Sequence, residues 1–261
     1  MDFAEYVKGI SFRFLRPTVP RPTGFRALAL FLRKWGLHLE VMNTRLPCDR
    51  AKTKRRLRET LKLKRMSTFA VGAMINRAVE QIPENQSFVN VGVWNGYTFF
   101  SGLVGNADKR CIGIDNFSHE NSPRQEFLSR FDRFGADRHE FHERDYREYF
   151  EHVHQGPIGF YLFDGPHRYK DQLDGLQMAE PFFAENCIVM VDDTNWDQVR
   201  RANLDFMASS PNQYQTLLDV QTPKSGHPTF WNGIFLFQLT GPNVLAQDAA
   251  GGTPSAGSAA A

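Results

Sequence analysis

Cysteine is scarce in this chain. Cys48, Cys111 and Cys187 are its only three, far apart and with no C-x-x-C pair. That spacing argues against a disulfide scaffold and against a cysteine-built zinc site. Cys111 and Cys187 stand inside short apolar runs and read as small core residues. Long apolar runs are also missing: none reaches the roughly 18 residues of a membrane span. Asp2 and Glu5 do not fit the basic first segment of a secretory leader. A cytoplasmic location is the expectation.

What is present is uneven in charge. Residues 1–66 hold 17 Lys/Arg against 5 Asp/Glu, an excess of 12 cations, while the whole chain of 261 residues carries only +2. Two parts with different surfaces follow, and with them two different tasks. Phe25, Leu28, Phe31, Leu32 and Trp35 recur at helical spacing between Arg26, Arg33 and Lys34. They predict a basic amphipathic helix over 24–41, and a second basic helix is predicted over 50–65. This extension caps the following domain, lies on a membrane surface or grips nucleic acid.

From Ser67 the pattern becomes alternating helix and strand. Val71, Ile75, Ala78, Val79 and Ile82 share one face of a helix over 68–82 that Pro83 ends. Short runs rich in Val, Ile and Phe follow at 87–93, 111–115, 140–143, 158–164 and 187–192. Helices begin between them near Tyr97, Pro123, Tyr146, Tyr169 and Trp196. Such alternation predicts a doubly wound, mostly parallel α/β sheet of Rossmann-like type. Runs 214–220 and 233–239 have no helix between them and predict an antiparallel pair at the sheet edge, for seven strands in all. The expected organisation is a helical extension over 1–66, a catalytic domain over 67–240 and a disordered, Gly/Ala/Ser-rich tail over 241–261.

The first of these strands runs into Gly92-Val93-Trp94-Asn95-Gly96-Tyr97-Thr98. Ligands bind parallel sheets at this carboxyl edge. Glycine permits close backbone approach, and a helix start attracts a carboxylate. Asp115, 19 residues after Gly96 and at the end of the next strand, is spaced to accept ribose hydroxyls. The dinucleotide phrase Gly-x-Gly-x-x-Gly is absent, which favours a cofactor without a pyrophosphate. Asp145, after the third strand, either meets an adenine amino group or starts the next helix.

Two apolar strands end in acid. Phe160-Tyr161-Leu162-Phe163 leads to Asp164-Gly165-Pro166-His167, and Ile188-Val189-Met190-Val191 leads to Asp192-Asp193. Adjacent parallel strands lie about 4.8 Å apart, so Asp164, Asp192 and Asp193 are expected to converge. Carboxylates so placed repel one another unless a proton or cation intervenes, and oxygen ligands suit Mg²⁺. The alternative is that Asp164 and Asp193 merely cap helices. His167 is a candidate general base for a hydroxyl, or else a loop residue.

The glycine turn resembles the Gly-x-aromatic-x-Gly-Tyr-Ser turn of catechol O-methyltransferase-like enzymes. The Asp-Gly-x-His-x-Tyr phrase resembles metal-dependent sugar O-methyltransferases of the macrocin type. The likeness covers roughly residues 68–240. It implies a class I methyltransferase fold, with S-adenosylmethionine held by Gly92, Trp94, Asn95, Gly96, Thr98, Asp115 and Asp145. It further implies a divalent metal on Asp164, Asp192 and Asp193 and a small-molecule or sugar hydroxyl as acceptor. Asn90 departs from the pattern, since many such enzymes carry an acid there. Two other functions compete: a nucleic-acid methyltransferase gripping through the basic extension, and a cofactor-binding module without catalysis. The Asp-Gly-Pro-His loop differs from the Asn/Asp-Pro-Pro-Tyr/Phe phrase of amino-methylating DNA enzymes, which disfavours nucleic acid. The loop 221–231 and the extension are expected to shape the acceptor pocket, and neither names the acceptor.

Overall fold

The computed structural model describes residues 1–118 and 122–246. The chain opens with α1 (Phe3–Gly9), β1 (Ser11–Phe12), α2 (Phe25–Lys34), α3 (Leu39–Asn43), β2 (Thr44–Arg45) and α4 (Arg50–Arg56). The helix expected over 24–41 is therefore two. Gly36 takes φ 72° after Lys34, a left-handed position that ends a helix at little cost to glycine. The helix expected over 50–65 stops at Arg56 and gives way to one 3-10 turn, Thr60–Lys62. Leu57 and Leu61 turn inward there and join a small core with Tyr6, Val41, Phe69, Ala73 and Tyr97.

The Thr68 hydroxyl accepts the Val71 N–H at the start of α5 (Phe69–Gln81), and Ile82-Pro83 closes that helix. Sequence periodicity gives α5 one apolar stripe, yet it is buried almost all round. Val71, Ile75 and Val79 face the main core, while Phe69 and Ala73 face the extension. Phe3 and Val7 of α1 also belong to the main core.

The rest of the chain alternates. β3 (Ser87–Val91), α6 (Tyr97–Leu103), β4 (Arg110–Ile114), α7 (Arg124–Phe134), β5 (His139–His142) and α8 (Tyr146–His152) come first. β6 (Ile158–Phe163), α9 (Tyr169–Ala179), β7 (Phe183–Asp192), α10 (Asp197–Ser209), β8 (Tyr214–Val220) and β9 (Ile234–Leu239) follow. The strands form one seven-stranded sheet in the order β5-β4-β3-β6-β7-β9-β8. β3 to β7 pair in parallel, and β9 runs antiparallel between β7 and β8. This is the Rossmann-like sheet with an antiparallel edge pair that the runs predict.

Both faces of the sheet are covered, which explains the unbroken apolar character of its central strands. Phe88, Phe160 and Met190 pack with residues of α5, α6 and α7. Their strand neighbours Val89, Tyr161 and Val189 pack with residues of α8, α9 and α10. Strand order reverses at β3, between β4 and β6. A crevice opens at the carboxyl ends of the strands at such a point.

At the far end of the chain, Asn243 is buried and donates to the carbonyls of Glu180 at 2.7 Å and Phe183 at 2.9 Å. The tail expected over 241–261 is thus packed as far as Asn243, and residues 247–261 lie outside the described residues.

Candidate active site

The glycine turn is built by close approach. Gly92 takes φ 79°, and a β-carbon there would lie 1.9 Å from the carbonyl oxygen of Asp164. Gly92 N–H donates to Ile114 O at 2.8 Å, and Asp164 N–H donates to Val91 O at 2.9 Å. The ends of β3, β4 and β6 are thereby tied together at the crevice. Gly96 takes φ 89° against the Phe100 ring, and Trp94 takes φ 42°. Trp94 is half-buried with the Lys64 ammonium 5.4 Å from its ring centre, so the basic extension reaches the turn. Thr98 is buried in the first turn of α6.

Asp115 does more here than its spacing suggests. Its Oδ2 accepts the N–H groups of Val93 and Trp94, each at 2.9 Å, and its Oδ1 accepts that of Phe117 at 2.8 Å. The carboxylate shapes the glycine turn itself and keeps spare lone pairs for a ligand. Asp145 caps α8 by accepting the Arg147 N–H at 2.9 Å. Asn116 reaches its other oxygen at 3.4 Å. Asn95 is buried, and its Oδ1 accepts from Arg130 of α7 at 2.9 Å.

Two buried amide atoms beside this turn have no partner among the described residues: Asn90 Oδ1 and Asn95 Nδ2. Asn90 Nδ2 donates to Val91 O and Gly92 O at 3.2 Å each, which leaves Oδ1 as a free acceptor. Unsatisfied buried polar atoms are costly. An amino-acid moiety, with its ammonium and carboxylate, would satisfy one acceptor and one donor. The turn therefore fits the methionine part of S-adenosylmethionine, and Asn90 offers that ammonium an acceptor without a charge.

The acidic cluster differs in one member from expectation. Ligand atoms of Asp164, His167 and Asp193 all lie within 4.8 Å of one another. His167 Nε2 stands 3.2 Å from Asp193 Oδ2. Asp192 is not part of this group. Its carboxylate is buried and accepts the Asp193 N–H at 2.9 Å. β7 ends at Asp192, and Asp193 takes φ 58°. The chain leaves the strand in a left-handed turn at that point.

Charge is crowded at the cluster. Burial, with the charges of Asp192, Asp193 and Asp115, pushes the Asp164 carboxyl well above the usual carboxylate range. Burial and Asp193 push Asp192 the same way. Burial pulls the His167 imidazole down, against the opposing pull of Asp193. Two carboxylates, Asp164 and Asp193, within reach of a single point fit a divalent ion, with the His167 imidazole beside them.

Three participants escape motif reading. Asn232 Nδ2 donates to Asp193 Oδ1 at 2.6 Å. Its only sequence signal is a place next to Gly233, ahead of the strand that pairs with β7. Trp196 packs edge-on against His167 at 4.4 Å and is 41% exposed. Lys64 lies in a charge run with nothing to mark it. The extension also meets the loop 221–231: Arg21 donates to Gly226 O at 2.8 Å, and His227 bonds Val19 O at 3.0 Å.

Residues 89–194 match a family described as a methyltransferase domain. The span runs from β3 to just past the acidic pair, so it holds both halves of the site. No curated protein matches the sequence. A cofactor-bound protein from MTB superposes with a TM-score of 0.54 at 14% identity, over 85% of this chain and 99% of that one. An O-methyltransferase from Bacillus cereus in complex with SAH superposes with a TM-score of 0.52 at 13% identity, over 82% and 97%. Identities this low establish a shared fold.

Proposed function

We propose that this chain, an S-adenosylmethionine-dependent methyltransferase by its domain and its fold, methylates a hydroxyl of a small molecule or sugar with the help of a divalent cation, Mg²⁺ by its ligand chemistry. The observation that carries the reading is the convergence of Asp164, His167 and Asp193 at the crevice next to the glycine turn. In this reading Asp164 and Asp193 hold the cation, and Asp192 holds the turn that presents Asp193. Bound there, the cofactor supplies an electrophilic methyl carbon and the cation supplies positive charge beside the acceptor oxygen.

The chain's own groups do the rest. His167 Nε2 lies 3.2 Å from the Asp193 carboxylate; with its proton held on that nitrogen by the charge, the imidazole would keep the Nδ1 lone pair to take the acceptor's proton. Asp193 then faces an imidazolium and stabilises it. Asn232 fixes Asp193 from the other side. Trp196 walls the imidazole and offers an exposed aromatic face to the acceptor. Asn90 and Asn95 orient the amino-acid end of the cofactor, and Asp115 and Asp145 face its ribose and adenine. Positioning of this kind carries much of the rate in a displacement at carbon.

The test is transfer of label from S-adenosylmethionine to a panel of catechols, phenols and sugars. Product carrying the label on oxygen is expected for one class. His167→Ala should lower turnover by about 10²–10⁴-fold with the cofactor still bound. Label on nitrogen, or an unchanged rate in that variant, contradicts the reading.

A further inference from the structure

The basic extension carries a surface that the methyl-transfer site does not use. A cavity of about 880 Å³ opens between the end of α2, α3, α4 and the 3-10 turn. Its wall holds six cations, Arg33, Lys34, Lys54, Arg55, Arg58 and Lys62, and no carboxylate. Leu37, Met42 and Leu61 give it an apolar lining. Arg58 and Lys62 share Glu59 as partner. Among the described residues, Lys34, Lys54 and Arg55 form no ion pair. Next to the cavity, α2 and Trp35 just past its end expose the apolar side chains the periodicity collects: Leu28 at 50%, Phe31 at 57% and Trp35 at 74%.

The combination narrows the occupant. A protein surface rarely leaves Phe, Trp and Leu together in water, and here they are rimmed by cations. Nucleic acid would satisfy the charge but would leave Leu28, Leu37 and Met42 wet. A second copy would satisfy the apolar face but would bring two lobes of excess positive charge together. An anionic bilayer satisfies both, because apolar side chains enter the boundary with the acyl chains while Lys and Arg meet headgroup phosphates. No helix among the described residues is long and apolar enough to cross a membrane, so contact of this kind lies on the surface.

We infer that α2 and the cationic cavity beside it dock the protein on an anionic lipid surface, with Leu28, Phe31 and Trp35 inserted and Lys34, Lys54 and Arg55 at the headgroups. The surface is continuous with the catalytic half. Lys62 of the cavity wall is two residues from Lys64, which lies over Trp94 of the glycine turn.

Co-sedimentation of the full chain with vesicles tests this. Vesicles of phosphatidylcholine mixed with phosphatidylglycerol should carry the protein down at low salt, and vesicles of phosphatidylcholine alone should not. High salt should release it. A Phe31→Ser/Trp35→Ser variant and a Lys34→Glu/Lys54→Glu/Arg55→Glu variant should each bind about tenfold or more weakly. All five side chains are exposed, so cofactor affinity and thermal melting should match the parent in both. Failure of the parent to sediment with anionic vesicles overturns the inference. So does wild-type binding by the aromatic variant alongside tight RNA binding by the parent, which assigns the surface to nucleic acid. A vesicle-free dimer abolished by the aromatic variant overturns it in favour of self-association.

Discussion

Gly92 takes φ 79° with the Asp164 carbonyl oxygen where its β-carbon would be. A side chain there meets both strain and collision. Gly92→Ala should cost about 2–4 kcal/mol of stability, read by chemical denaturation, and should remove cofactor binding with it. Asp115 makes a second separable case. If it served the cofactor alone, Asp115→Ala would leave the ligand-free protein as stable as before. Three backbone N–H groups depend on it, so the ligand-free melting point should fall by the equivalent of about 1–3 kcal/mol, together with cofactor affinity. The sequence shows Asp164, His167 and Asp193 well, because each follows an apolar strand run at an edge that parallel strands share. It does not show which of the adjacent Asp192 and Asp193 joins Asp164 and His167, since that depends on the backbone where β7 ends. Nor does it show Asn232, 39 residues beyond Asp193, because only the register of the antiparallel strand brings it near.

Among elements, α8 carries a titratable lock. His154, just past its end, is buried. The ring bonds the Tyr149 hydroxyl through Nδ1 at 3.1 Å and Gly156 O through Nε2 at 3.0 Å. This satisfies a neutral imidazole, with Nε2–H donating and Nδ1 accepting, and burial pulls its pKa down to about 4. The unfolded chain then binds the proton more readily than the native one. Stability from this group is whole above the unfolded value near 6.5 and is lost as pH falls from there to about 4. Urea unfolding across that window should show a loss on the order of 3 kcal/mol attributable to His154. In His154→Phe the loss should be smaller by that amount, and equal slopes in the two proteins would refute the assignment. Element type and order were readable throughout the sheet, because period and turn chemistry agree there. The extension was less readable. Its helices break at Gly36 and after Arg56, where tertiary burial of Leu57 and Leu61 outweighs a continuous charged face. The second buried side of α5 was hidden for the same reason, since Tyr6, Val41 and Leu57 that cover it are distant in sequence.

At the scale of the whole molecule, charge is divided along one body. Cations gather on the first 66 residues, and carboxylates gather at the carboxyl edge of the sheet. The two meet at the glycine turn, where Lys64 lies over Trp94. Burial and their neighbours' charges together push the Asp164 and Asp192 carboxyls toward the protonated form, a cost that a divalent cation on Asp164 would lower. The measurement that addresses this most directly is turnover of a hydroxyl acceptor with labelled cofactor in the presence of excess EDTA, followed by added Mg²⁺. Chelation should remove methyl transfer while leaving cofactor binding and the melting transition in place, and Mg²⁺ should restore it in the parent but not in Asp164→Asn. Full turnover in EDTA would contradict the account.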